Sequence, residues 1–284
     1  MIRVGPAGWS YGDWEGIAYP RDVLRFDPLA YISGYFDTIE INNTFYRPPT
    51  PKMALSWAKR VAGNERFRFT AKLLRNFTHA REALTDADEA DFKKGLAPLV
   101  ETNRLGALLV QFPYSFHYND GNREYIREVT ERFKEYPLVV EVRHASWDRA
   151  PAFQFLRDLK VGFCNIDQPQ VSYSLGSTKE VTSPVGYLRL HGRNKKDWFR
   201  EGAGRDARYD YLYNEFEIFE LTERVRQIAE QAEEVYVITN NHYRAQALCN
   251  GFQIKAKLEK TTLRIPDLLI EHYPDLKEIQ LQRE

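Results

Sequence analysis

The sequence has few cysteines, no excess of either charge and no long apolar run. Its 284 residues include only 2 cysteines, too few for a disulfide framework or a cysteine-rich zinc site. Cys164 and Cys249 fall in a strand and a helix pattern, so we expect small core residues rather than nucleophiles. Lys plus Arg and Asp plus Glu are 40 each, giving a net charge of +0. Bulk charge therefore cannot attract a polyanion, and any anion site must be a local cluster.

Membrane and export signals are also missing. No apolar run reaches the roughly 20 residues that span a bilayer. The N-terminus, from Met1 to Val4, enters a strand pattern without the apolar stretch of a signal peptide. Hydrophobic residues make up 43% and charged residues 28% of the chain, which is typical of a folded protein with a large core. We predict a soluble, reduced, cytoplasmic protein that has no membrane partner.

Short apolar runs alternate with segments of helical periodicity along the chain. The runs cover residues 3–8, 38–42, 67–72, 105–111, 138–143, 162–167, 186–191 and 235–240. Eight strand–helix units in about 250 residues predict an α/β fold, the parallel eight-stranded TIM (β/α)₈ barrel. An open doubly wound sheet is the alternative. No linker divides the chain, so residues 1–284 are predicted to form a single domain. Within that domain, residues 259–284 form a C-terminal tail with a terminal helix.

Capping residues mark the starts of several predicted helices. Thr50 before Pro51, Thr85 before Asp88 and Asn214 before Glu217 fit N-caps. Asn122 is expected to open a further helix. Residues 172–184, between the sixth and seventh strands, are long and weakly patterned, so the sixth helix is the least well defined.

Side-chain alternation in these strands places polar residues inside the barrel. Where the flanking aliphatic residues face the helices, the residues between them face the lumen. The residues predicted to point inward near the carboxyl ends are Glu40, Asn42, Thr70, Lys72, Gln111, Glu141, Arg143, Asn165, Asp167, Tyr187, Arg189, His191 and Asn240. An ordinary lumen is filled with aliphatic side chains, and active sites of this fold lie at the carboxyl ends of the strands. We interpret the ring as a ligand site; a self-neutralising buried ion network is the alternative.

Motifs at these strand ends resemble the YecE-like family, a widespread domain of unknown function. They are Gly8-Trp9-Ser10-Tyr11, Glu40-Ile41-Asn42-Asn43-Thr44-Phe45-Tyr46-Arg47, Phe67-Arg68-Phe69-Thr70-Ala71-Lys72, Gln111-Phe112-Pro113, Glu141-Val142-Arg143-His144, Leu188-Arg189-Leu190-His191-Gly192-Arg193, Tyr209-Asp210-Tyr211-Leu212-Tyr213 and Asn240-Asn241-His242. The resemblance runs from about residue 2 to about residue 258 and implies a TIM barrel without an established activity. It also implies, by analogy only, kinship with xylose isomerase-like barrels.

The ring predicts a site for a polar anion such as a sugar phosphate or a nucleic-acid fragment. Lys72, Arg143 and Arg189 are the candidate anion-binding residues, because cations and forked guanidinium groups bind phosphate or carboxylate. The loop after the seventh strand adds further cations and the aromatic residues Trp198, Phe199, Tyr209 and Tyr211, which suit stacking on a sugar ring or base or the packing of a lid. Proton-transfer candidates are Glu40 and Glu141, assisted by His191. The remaining candidates position hydroxyl groups (Asn42, Gln111, Asn240 and Asn241) or form the pocket walls (Trp9, Tyr46 and Trp147).

Two other functions stay open. Glu141, Asp167 and His191 suit a divalent metal, which would make the protein a metal-assisted phosphodiesterase or isomerase. Asn240 stands where a further carboxylate ligand is usual in such barrels, and neighbouring arginines would repel a cation, so no cofactor is favoured. A non-catalytic barrel that binds nucleic acid or protein is the second alternative, weakened by the zero net charge. The sequence does not predict the oligomeric state, and it contains no nucleophile elbow, P-loop or dinucleotide fingerprint.

Overall fold

The structure, a computed structural model, describes residues 1–171, 173–198, 200, 202 and 204–282, with Arg205 described by its backbone alone. Eight parallel strands form one sheet in the order β1-β8-β7-β6-β5-β4-β3-β2. The strands are β1 Ile2–Pro6, β2 Thr38–Ile41, β3 Arg68–Lys72, β4 Leu105–Gln111, β5 Leu138–Glu141, β6 Gly162–Asp167, β7 Val185–Leu190 and β8 Glu234–Thr239. The predicted TIM barrel is confirmed.

The barrel closes where β1 meets β2. Ala7 bridges Glu40 in parallel, and the Gly8 amide donates a 2.9 Å hydrogen bond to the Glu40 carbonyl. Gly5 permits this approach, because a Cβ there would lie 1.8 Å from the Thr38 carbonyl oxygen. The closure fixes the backbone of Glu40, which is one of the predicted site residues.

Helices cover the outside of the barrel. They are α1 Pro28–Ser33, α2 Pro51–Arg60, α3 Asp86–Glu101, α4 Asp120–Arg132, α5 Ala150–Asp158, α6 Arg205–Arg208, α7 Glu215–Ala229, α8 Gln246–Glu259 and α9 Asp267–His272. Thr50 caps α2, and capping boxes start α3 at Thr85 and α7 at Asn214, as predicted. The prediction for α4 was wrong by one turn: Asn119 is the N-cap, and it accepts from the Asn122 amide at 2.8 Å.

The connection between β6 and β7 contains no helix among its described residues, which explains the weak pattern seen there. Without a covering helix on this side, the inward direction predicted for the polar residues of β6 was wrong. Val139 pairs with Gly162, and Cys164 with Tyr187, so Cys164 faces the lumen. Asn165 and Asp167 point outward, not inward as predicted. Asn165 bonds both backbone groups of loop residue Glu180, at 2.8 and 2.9 Å, so a polar loop replaces the helix that would exclude polar side chains.

The C-terminal tail packs on the barrel rather than extending from it. After α9, a 3₁₀ segment spans Pro274–Ile279, and Leu263 bridges Gln280. Leu269 and Leu276 are fully buried. Throughout the described residues, every helix is either too short or too polar to cross a membrane.

Candidate functional site

Arg189 is the centre of the polar ring. It projects inward from β7 and is only 2% exposed. Its Nη2 lies 2.7 Å from Glu40 Oε1, and its Nη1 contacts Glu141 Oε2. The Tyr187 hydroxyl donates to Glu40 Oε2 at 3.0 Å and accepts from Thr70 Oγ1 at 2.8 Å. One arginine therefore joins carboxylates on opposite sides of the lumen.

The electrostatics of this network keep Glu141 and Arg189 ionised. Burial opposes charge on Glu141, but Arg189 and then Arg143 hold its pKa well below the ordinary value. Burial likewise opposes charge on Arg189, and Glu141 and Glu40 raise its pKa well above the ordinary value. Because removing these ions from water costs several kcal/mol each, the network is stable only as a unit.

Arg143 lies above Glu141 and reaches the opening of the barrel. Its Nε donates to Glu141 Oε1 at 3.0 Å, and its side chain is 18% exposed. The guanidinium carbon lies 5.8 Å from the Trp198 ring centroid. Among the described residues, the hydrogen bonds of Arg143 engage only Nε, which leaves the terminal nitrogens for a ligand.

Lys72 ends β3 beside this arginine pair. Its Nζ donates to Gln111 Oε1 at 2.6 Å and lies 4.3 Å from the Phe45 ring centroid. Within the described chain, Lys72 forms no ion pair with a carboxylate, since Glu40 and Glu141 are engaged by the arginines. Burial, followed by the charge of Arg189, lowers the pKa of Lys72 to about 7.

A cavity of about 280 Å³ opens above these groups. Its lining consists of Tyr11, Asn42, Phe45, Tyr46, Lys72, Gln111, Arg143, Arg189, Arg208, Tyr209, Asn240 and His242. We call this the mouth pocket. It contains seven of the predicted site residues, and Glu40 and Glu141 lie directly beneath Arg189.

His191 lies behind Glu141 and does not line the mouth pocket. Asn240 Nδ2 lies 2.9 Å from His191 Nδ1, and His191 Nε2 lies 3.5 Å from Glu141 Oε1. Burial lowers the pKa of His191 to about 3, so the ring is neutral at pH 7. Donation from Asn240 to Nδ1 leaves the proton on Nε2, where it faces Glu141. The geometry favours a positioning role for this histidine.

Three predicted site residues lie elsewhere. Trp9 packs at 5.8 Å on Trp57 of α2, and Trp147 is fully buried, with its Nε1 donating to the Phe116 carbonyl at 2.8 Å. Asn241 donates to the Tyr211 carbonyl at 2.9 Å and to Asn250 Oδ1 at 2.8 Å. These side chains stabilise the layer around the barrel, so they do not form a wall of the mouth pocket or position a hydroxyl group there.

The predicted metal triad is not assembled. Asp167 faces away from Glu141 and His191, because β6 presents its other face to the lumen. It accepts from Arg193 Nε at 2.9 Å and from the Tyr213 hydroxyl at 2.7 Å. In the described residues, no group of three or more His, Cys, Asp or Glu side chains is arranged to hold a metal ion. Glu141, Asp167 and His191 therefore do not fit a shared cation.

Several lining residues escaped the sequence prediction. Phe45 and His242 stand in the motifs quoted above but lie outside the strands, where alternation gives no direction. Tyr209, one of the aromatic residues noted in the loop after the seventh strand, also lines the pocket. Tyr11 lies in the loop after β1, and Arg208 ends α6. Phe199, in the basic loop after β7, lies outside the described residues, as does the side chain of Arg205.

A larger groove of about 910 Å³ lies on the outer surface between the β6–β7 connection and α7. Arg224 there donates to the backbone carbonyl groups of Thr178 and Ile166, and Arg193 is engaged by Asp167 and Glu217. Arg193 is thus paired with carboxylates, whereas Arg224 bonds only carbonyl groups and its Nη1 has no hydrogen-bond partner among the described residues. The mouth pocket differs because Lys72, Arg143 and Arg189 converge there from the ends of three strands.

Comparison with known proteins identifies relatives along most of the chain. The family model described as "Protein of unknown function DUF72" matches residues 3–272, so the match includes α9, beyond the limit of the resemblance seen in the sequence. UPF0759 protein YunF of Bacillus subtilis (strain 168) is 29% identical over 279 residues, covering 91% of this chain and 95% of YunF.

Two solved structures show the same fold. A DUF72 family protein from Thermotoga maritima MSB8 has a TM-score of 0.82 and 34% identity, covering 91% of this chain and 99% of that one. A DUF72 family protein from Enterococcus faecalis V583 has a TM-score of 0.81 and 28% identity, covering 91% and 96%. YecE-like is a synonym for this family, so the predicted family is confirmed.

Proposed function

The chain belongs to the DUF72 family of proteins of unknown function, and we propose that it is an enzyme whose mouth pocket binds a small anionic substrate. The substrate carries a phosphate or carboxylate group. The observation that supports this proposal most strongly is the charge balance at the pocket. Lys72, Arg143, Arg189 and Arg208 line it, whereas Glu40 and Glu141 are its paired carboxylates. The cations exceed the carboxylates, and an anion would neutralise the excess.

Each cation has a different part in this proposal. Arg143 supplies free guanidinium nitrogens at the opening, in the fork geometry that suits phosphate and carboxylate. Arg189 offsets the negative charge of the floor, since its two terminal nitrogens remain on Glu40 and Glu141. The two carboxylates then act by holding Arg189, which bonds both of them. The low pKa of Glu141 also makes that carboxylate a poor base near neutral pH.

The dimensions of the pocket favour a small ligand over a polymer. The volume of about 280 Å³ lies just below the usual range for small-molecule sites, roughly 300–1,000 Å³. A triose or tetrose phosphate, or a carboxylic acid of that size, fits this space. Tyr11, Phe45 and Tyr209 supply apolar ring faces beside the charges, which suits a short carbon skeleton attached to the anion.

Calorimetric titration with inorganic phosphate and with glycerol 3-phosphate tests the proposal. We expect saturable binding by the wild-type protein and at least a tenfold loss of affinity in Arg143→Met. Arg193→Met is the matched control, because Arg193 is also a strand-end arginine paired with a carboxylate but lies outside the lumen. Equal affinity in wild type and Arg143→Met, or loss only in Arg193→Met, would place the anion site elsewhere.

A further inference from the structure

We propose that Lys72 is a catalytic nucleophile that forms a Schiff base with an aldehyde or ketone group of the substrate. This inference rests on the proposed function, since the anion site would hold the rest of the substrate. It assigns the substrate to a narrower class: small carbonyl compounds that also carry phosphate or carboxylate.

The position of Lys72 is the first argument. The side chain projects from the last residue of β3, a rigid element, into the mouth pocket. Gln111 and the Phe45 ring hold Nζ from two sides. A carbonyl carbon in a pocket of this size lies within reach of Nζ while its anionic group contacts Arg143. The amine is therefore oriented before substrate arrives.

The surroundings of Nζ favour the neutral amine that nucleophilic attack requires. The carboxylates nearest in the lumen are committed to Arg189 and Arg143, and both arginines add positive charge around Lys72. Lys93 on α3 shows the opposite arrangement, because Glu89 and Glu135 lie 2.9 and 2.8 Å from its Nζ and raise its pKa. Lys72 thus has a substantial unprotonated fraction at pH 7, whereas Lys93 has almost none.

The chemical step balances without an oxidant or a metal. The Nζ lone pair attacks the carbonyl carbon, a C–N bond forms, and the carbonyl π electrons move to oxygen, which takes up a proton. Nζ loses one proton to solvent, giving a carbinolamine. The hydroxyl group, protonated by solvent, leaves as water while the C=N bond forms. The net reaction consumes one amine, one carbonyl compound and one proton, and yields a protonated imine and water.

Reductive trapping tests this assignment on the full-length protein. Glyoxylate, which combines an aldehyde with a carboxylate, is supplied with cyanoborohydride at pH 7, and peptide mass spectrometry then reports labelling at every lysine. We expect Lys72 to label at least tenfold faster than Lys93 or any other lysine. The rate at Lys72 should rise with pH through a midpoint near 7. Labelling of Lys72 no faster than that of surface lysines would overturn the proposal.

A variant of the hydrogen-bond partner separates reactivity from access. Gln111→Glu places a carboxylate on Nζ, so it should suppress labelling at pH 7 and restore it at pH 9. Gln111→Met, which lacks the charge, should keep labelling near the wild-type rate at pH 7. Equal suppression by both variants would show that Gln111 acts only by packing and would overturn the electrostatic argument. Unfolding curves establish that each variant is folded.

Neutral glycolaldehyde distinguishes failure of this inference from failure of the anion site. If Lys72 labels selectively with glycolaldehyde, and glyoxylate has no advantage and phosphate gives no protection, the nucleophile stands and the anion site is refuted. If phosphate binds and neither aldehyde labels Lys72 selectively, the anion site stands and the nucleophile is refuted.

Discussion

Replacing Arg189 with methionine tests the buried network directly. Methionine is unbranched and apolar and reaches as far as arginine Nε, so Arg189→Met keeps the packing of the aliphatic stem while removing the charged group. The substitution leaves Glu40 and Glu141, both fully buried, without the cation that pairs with them. Arg143 still contacts Glu141, so Glu40 is the more poorly compensated of the two.

The expected cost follows from that geometry. Breaking a buried ion pair by removing one partner costs about 3–5 kcal/mol, because the remaining charge stays desolvated. Arg189 serves two carboxylates, but one keeps a second cation, so we expect the free energy of unfolding to fall by about 3–5 kcal/mol. Arg127→Met is the comparison. Arg127 and Glu124 form an exposed pair on α4, and removing it should cost less than about 1 kcal/mol.

Urea unfolding followed by far-ultraviolet circular dichroism measures both variants. The double variant Arg189→Met, Glu40→Gln should recover much of the lost stability, because Glu141 keeps its ion pair with Arg143 and no unpaired carboxylate remains buried. If Arg189→Met costs no more than Arg127→Met, the carboxylates do not depend on Arg189. The structural account of the polar ring would then be wrong.

Three further predictions concern the closure, the buried histidine and the outer face of β6. Gly5→Ala should lower the free energy of unfolding, measured in urea, by about 3 kcal/mol, because the new Cβ meets the Thr38 carbonyl. An unchanged free energy would contradict the close approach of β1 and β2 at this point. The folded-state pKa of His191, about 3, lies below the unfolded value of about 6.5. Its contribution to the free energy of unfolding is therefore complete above pH 6.5 and declines as the pH falls towards 3. Between these two pH values, the free energy of unfolding of the wild-type protein should fall by about 1.4 kcal/mol per pH unit. Urea unfolding repeated at each pH measures this slope, which should be shallower in His191→Gln. Tyr213→Phe removes the 2.7 Å hydrogen bond to Asp167 and should lower the free energy of unfolding by about 2 kcal/mol. An unchanged thermal unfolding midpoint would argue against an Asp167 side chain that points out of the barrel.

The architecture was predictable from the sequence because strands and helices alternate with clear periods. Ile39 and Ile41 against Glu40, and Leu188 and Leu190 against Arg189, show unambiguously which face is apolar. The same rule gave a wrong prediction for the sixth strand, because the residues of β6 that face outward are polar. Its covering element is a polar loop, so Asn165 and Asp167 are satisfied outside the barrel, and polarity there no longer indicates the lumen.

The candidate site was predictable only as far as strand alternation reaches. Lys72, Gln111, Arg143 and Arg189 were placed at the mouth in this way, and the structure brings them together. Loop residues such as Tyr209 have no periodicity, so their approach to the pocket depends on long-range packing. The sequence also could not show which cations are paired. That difference, between Arg189 on two carboxylates and Lys72 on none in the described chain, determines the proposed chemistry.

The most direct test of the anion site is a crystal structure of the protein soaked with tungstate, a heavy-atom analogue of phosphate. Its anomalous signal locates the ion independently of any assumption about the reaction. The anion-site proposal predicts an anomalous peak in the mouth pocket, within hydrogen-bond distance of the Arg143 guanidinium. A peak only in the outer groove beside Arg193 and Arg224, with none at the barrel mouth, would contradict it.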